Sequence, residues 1–182
     1  DTLTVKSIKK RIKQIIFFLS TMNTPLKIIL TYFTFFGTIC QINVYNYIGD
    51  KMLIKYNTKE LELLARLMRA EAVGEGNLGM LMVGNVGVNR VISDCLDFKN
   101  INTISDMIYQ TPGGFSGNDS PLFFSSPTTK QKQLAERILR GEYYHPATNS
   151  LWFYAPGNST CRNTWYNQAL AGKYKSHCFY EP

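Results

Sequence analysis

Residues 57–76 read Asn57-Thr58-Lys59-Glu60-Leu61-Glu62-Leu63-Leu64-Ala65-Arg66-Leu67-Met68-Arg69-Ala70-Glu71-Ala72-Val73-Gly74-Glu75-Gly76. Asn57 and Thr58 are candidate helix N-caps, and Glu60 and Glu62 suit the positive end of a first turn. Leu61, Leu64, Met68 and then Glu71-Ala72 recur at helical spacing and form one face. Gly74-Glu75-Gly76 ends the helix. This stretch decides the fold, because it sets a carboxylate, Glu71, on the core-facing stripe of a compact domain's first helix.

Working downstream, a second helix runs from about Gly79 to Ile92, with Met80, Val83, Gly84, Gly87, Val88 and Val91 as its stripe. Gly84 and Gly87 each cost about 1 kcal/mol of helix propensity. Close approach of a neighbouring helix is the expected reason. A short third helix fits Ser105 to Tyr109, and Pro112-Gly113-Gly114 is a turn. A fourth, about Thr129 to Arg140, carries Leu134, Ile138 and Leu139 and is closed by Gly141. The remainder holds strand-like pieces, notably Leu151-Trp152-Phe153-Tyr154. Helices first and short strands in the C-terminal half make an α+β fold.

Working upstream, the chain changes character. Residues 1–51 hold seven Lys/Arg and two Asp, and residues 52–182 hold thirteen Lys/Arg and eleven Asp/Glu. The basic excess of the 182-residue chain, +7 in all, therefore sits mostly in an N-terminal extension with apolar runs at Ile15–Leu19 and Ile28–Cys40. That segment reads either as an export or membrane signal or as an over-extended gene start ahead of Met52. A membrane is a partner only on the first reading. Residues 52–182 form the catalytic-domain candidate. Their near-balanced charge argues against a nucleic-acid binder. The four cysteines (Cys40, Cys95, Cys161 and Cys178) contain no CxxC pair. With only two histidines there is no metal-ligand pattern, and neither a metal nor another cofactor is expected. One bridge, Cys161 to Cys178, and a fully reduced set are equally open.

A carboxyl on an apolar face is desolvated, which disfavours its charged form and raises its pKa. Such a Glu can deliver a proton to a leaving oxygen, as cleavage of a glycosidic bond requires. The bland alternative for Glu71 is an ordinary ion pair with Arg69 or Arg90. Glu75, between two glycines, reads as an exposed, unperturbed carboxylate with a supporting role. Asn89 and Arg90 are expected to support helix packing or to orient a neighbour of Glu71. Glycan grooves pair aromatic faces with amide and hydroxyl groups. Tyr109, Gln110, Phe115, Ser116, Trp152, Tyr154 and Asn167 supply those groups. His177-Cys178, or Cys178 with His145, is a weaker nucleophile reading.

The blocks Leu63–Ala72, Gly74–Gly76, Gly79-Met80, Val83–Arg90, Thr103-Ile104, Met107–Gln110 and Phe115-Ser116 resemble the catalytic domain of the SleB/CwlJ cell wall hydrolases. These are the cortex-lytic enzymes of endospores. Ser150–Tyr154, Trp165–Gln168 and Lys175–Tyr180 are similar to the CwlJ branch in particular, and the likeness covers about residues 58–182. The resemblance implies a fold related to lysozymes and lytic transglycosylases. It also implies cleavage between N-acetylmuramic acid and N-acetylglucosamine in spore cortex peptidoglycan, with Glu71 in the place of the family's general acid. Muramic lactam is the implied recognition feature. Water or the muramyl C6 hydroxyl is the nucleophile, giving a hydrated or a 1,6-anhydro end. The implied location is the spore coat or cortex, with a spore coat protein as a further partner, or the cell wall and exterior if residues 1–51 are a signal. An N-acetylmuramoyl-L-alanine amidase or thiol endopeptidase on the same polymer is the alternative enzyme. A non-catalytic coat protein is the alternative without chemistry.

Overall fold

The computed structural model describes residues 53–93 and 96–182. The expectations for residues 1–51, for Met52 as a start, and for Cys40 and Cys95 lie outside the described residues.

Helix α1 spans Thr58–Ala72. Asn57 caps it by a capping box, its side chain accepting from the Glu60 N–H while the Glu60 carboxylate accepts from the Asn57 N–H. Leu63, Leu64, Leu67, Met68 and Ala72 are buried, and Leu61 is half-buried at the margin. The Gly74-Glu75-Gly76 break is a single 3-10 turn, Val73–Glu75, not a loop. Helix α2 begins at Gly76 and runs to Ile92, a start earlier than expected. Gly76, at φ +78°, makes the corner in the left-handed region that favours glycine.

From Gly79 to Arg90, α2 is buried on every side, so it is a central helix rather than the one-sided stripe that the spacing predicts. A Cβ on Gly84 would lie 3.0 Å from Met68 Sδ and 3.1 Å from Ile138 Cγ1. One on Gly87 would lie 3.0 Å from Met107 Cε. The close approach expected at both glycines is therefore real. Burial also forces the polar residues of α2 to find partners. Asn85 donates to the Glu142 carbonyl and accepts from the Tyr144 N–H. Asn89 donates to the carbonyls of Ala147, Thr148 and Ser150. These bonds pin the incoming chain that leads to the sheet.

Helix α3 is Ile104–Ile108, capped by Thr103. Helix α4, Pro121–Phe124, was not expected; at four residues it is too short to show a period. Helix α5 spans Thr129–Leu139, and Gly141 at φ +91° closes it, its N–H bonding the Ile138 carbonyl. Four antiparallel strands follow: β1 (Trp152–Tyr154), β2 (Thr164–Trp165), β3 (Gln168–Tyr174) and β4 (His177–Glu181). Their order is β1-β4-β3-β2. Trp152 faces Tyr180 and Tyr154 faces Cys178 across the first pair. A disulfide joins Cys161 to Cys178 and ties the loop after β1 to the buried strand β4.

Candidate active site

Glu71 lies one residue from the end of α1, half-buried. The Gly117 N–H donates to its Oε1 at 2.5 Å. Gly117 belongs to a 3-10 turn, Ser116–Asp119. That turn is braced from both sides. Asn118 Nδ2 donates to the Ile108 carbonyl at the end of α3, and the Ser120 N–H donates to the Gly117 carbonyl. Burial pushes the Glu71 carboxyl above its ordinary range. The Gly117 N–H and the charge of Arg90 pull the other way and do not cancel it.

The ordinary ion pair is absent: among the described residues, the ion pairs leave Glu71 out. Arg69 is buried and turned away, its guanidinium donating to the carbonyls of Leu122, Ser125 and Ser126 around α4. Arg90 is 5% exposed and lies between two rings, 4.2 Å from the Phe115 centroid and 4.9 Å from that of Phe98. Its Nε donates to the Leu151 carbonyl and its Nη1 to that of Gly113. Burial pushes its pKa down to about 10, against the opposing pull of Glu71 and Asp97, so it stays charged at neutral pH. Arg90 thus fastens the Gly113–Phe115 segment, which leads into Gly117, to the start of β1. Asn89 and Arg90 both spend side-chain donors on the chain around Ser150 and Leu151.

Glu75 corrects its expectation. It is half-buried and held at the β3–β4 turn, accepting from the Ser176 N–H at 3.2 Å and from the Ser176 hydroxyl at 2.5 Å. Lys175 Nζ donates to the Glu75 carbonyl. Partial burial pushes the Glu75 carboxyl up, but Ser176, His177 and Lys175 outweigh it, and the net position is below the ordinary range. Two carboxyls one turn apart are therefore separated in role. Burial pushes the first up against the pull of Gly117, and Ser176, His177 and Lys175 hold the second down.

The profile of the family described as Cell Wall Hydrolase matches residues 74–180, more than half of the chain. The chain belongs to the cell wall hydrolase family. A cell wall hydrolase CwlJ from Oceanobacillus iheyensis is 55% identical over 130 residues, covering 71% of this chain and 92% of that one. Among solved structures, the catalytic domain of Bacillus cereus SleB superposes with a TM-score of 0.57 at 25% identity, covering 70% of this chain and 93% of that chain. The catalytic domain of the germination-specific lytic transglycosylase SleB from Bacillus anthracis gives 0.55 at 25% identity, covering 69% and 97%. The α+β expectation agrees with these folds. The profile match begins at residue 74, beyond Glu71, so the reading of Glu71 in this cell wall hydrolase leans on its geometry.

The remaining sequence candidates divide. Ser116 is exposed beside Gly117, and Tyr109 is 59% exposed at the end of α3. Gln110 is half-buried, with Nε2 donating to the Asp97 carbonyl and Oε1 buried without a protein partner. Phe115 corrects its expectation as a sugar platform: it is 6% exposed and its ring carries Arg90. Trp152 packs on Phe98, and Tyr154 stacks on Tyr180 and Trp165, so these half-buried rings are largely spent on neighbours. Asn167 is a turn residue: with Tyr166 it forms the two-residue β2–β3 connection, at φ +67° and +48°. Asn is favoured there for its tolerance of left-handed backbone. Cys178 is in the disulfide and has no thiol to offer. Sequence reasoning missed Gly117 and Ser176. Nothing local marks either, because each meets its glutamate across a long stretch of chain.

Proposed function

We propose that this cell wall hydrolase is a peptidoglycan-lytic enzyme of spore germination that cleaves the glycan bond between N-acetylmuramic acid and N-acetylglucosamine in the cortex. Glu71 is its general acid and then its base. The observation that carries the reading is one half-buried carboxyl, free of any ion pair among the described residues and raised in pKa by burial. Such a group holds a proton where an ordinary carboxylate has lost it. Glu71 protonates the glycosidic oxygen as the bond breaks, and positive charge develops at the anomeric carbon. The carboxylate left behind then takes a proton from water or from the muramyl C6 hydroxyl. A second carboxylate as nucleophile has little support, since Glu75 is engaged with Ser176. The single-acid route needs none. The family membership and the solved transglycosylase domain support the same chemistry. The thiol endopeptidase alternative has the Cys161–Cys178 disulfide against it.

The test is digestion of purified cortex fragments by the wild type and by Glu71→Gln, with mass spectrometry of the products. The wild type releases fragments with new glycan ends, and the variant falls by about 10³-fold. An anhydro end identifies transglycosylation, and a hydrated end identifies hydrolysis. Full activity in the variant, or new amino groups without new glycan ends, would overturn the assignment.

A further inference from the structure

We propose that the Gly117 N–H fixes the Glu71 carboxyl so that its transferable proton sits on Oε2, and that Gly117 is a positioning residue whose missing side chain leaves room for that contact. The inference rests on Glu71 being the acid. A neutral carboxyl has one hydroxyl oxygen and one acceptor oxygen. The Gly117 N–H occupies Oε1 at 2.5 Å, so Oε1 keeps the acceptor role and Oε2 is left to carry the hydrogen. Once Oε2 has given that proton away, the same N–H faces a carboxylate, and the bond becomes charge-assisted. One donor thus serves both halves of the reaction, orienting the acid and then holding the base in place.

The need for glycine is spatial. Gly117 is not among the positive-φ glycines, so its backbone conformation is open to other residues. A Cβ there would lie 2.8 Å from Glu71 Oε1, 2.9 Å from Glu71 Cδ and 3.1 Å from Ala70 Cβ. Even alanine would force the carboxyl to shift from its present place on the donor. The donor itself cannot easily retreat, because Asn118 ties its turn to α3 and the Ser120 N–H holds the Gly117 carbonyl.

The test uses the full chain labelled with 15N, in wild-type and Glu71→Gln forms, together with kinetics of Gly117→Ala on cortex fragments. In the wild type, the Gly117 amide proton shift follows one inflection with pH, and that inflection is gone in Glu71→Gln. Gly117→Ala lowers kcat by about 10²-fold with KM nearly unchanged. The basic limb of its pH profile moves up by roughly one unit, because the carboxylate has lost a hydrogen bond. A Gly117 amide that ignores pH in the wild type overturns the proposal, as does an alanine variant with an unmoved limb. The amide measurement decides the matter even where the alanine variant does not fold. If Glu71→Gln keeps its activity, the reading of Glu71 fails and this inference with it. If that variant is inactive while the amide is silent, only the positioning role fails.

Discussion

Glu71 keeps its proton to higher pH than an ordinary carboxyl because burial outweighs both the Gly117 N–H and the Arg90 charge. Stability must feel the same imbalance. The folded pKa lies above the unfolded value of about 4.5, so in the window between them the folded chain holds a proton that the unfolded chain has released. Stability therefore falls as pH rises through that window, and the deficit persists above it. Glu71→Gln keeps an acceptor for Gly117 and removes the ionisation. It is expected to melt higher than the wild type at pH 7, with the gap shrinking towards pH 4. Thermal melts at the two pH values check this, and an equal gap at both counts against it. At this scale the sequence was readable where desolvation follows from helical spacing, as at Glu71. It was misleading where composition stood in for geometry. Phe115 has the right ring for a sugar, but Arg90 already lies on it.

Elements were legible in proportion to their length. α1 and α5 announced themselves by period and caps, and α2 by its apolar content, although its start needed the corner at Gly76. α4 and the two-residue strand β2 are too short to carry a pattern. The β2–β3 turn gives Asn167 a backbone reason to be there, whether or not it meets a substrate. Asn167 sits at φ +67° and is exposed. Asn167→Ala is expected to cost about 1 kcal/mol through the left-handed backbone. Asn167→Gly should be nearly neutral, and neither should change the specific activity of folded enzyme. Denaturant melts beside a cortex-release assay test this. A selective activity loss in both variants would return Asn167 to the substrate.

For the whole molecule, polar links hold the sheet to the helices, and a disulfide ties the sheet region to itself. The disulfide joins residues 17 positions apart. Its loss is expected to cost about 3 kcal/mol by releasing the unfolded chain from a closed loop of that size. A melt with and without reductant, against Cys161→Ser, measures it; melting that does not respond to reductant contradicts it. The partners of these links were not readable beforehand, although the Cys161–Cys178 bridge was one of two open options. Asn89 was expected to support packing, but its spacing did not say against what; burial required it and Asn85 to grip distant carbonyls.

The grip of Ser176 and Lys175 on Glu75 has a consequence for timing. The corner immediately after Glu71 is fastened by residues about a hundred positions further along the chain. A ribosome delivers α1 long before it delivers that hairpin, so a partly made chain carries the glutamate without its fastening. Until synthesis has passed the β3–β4 turn, the Glu75 carboxylate has no Ser176 to accept from.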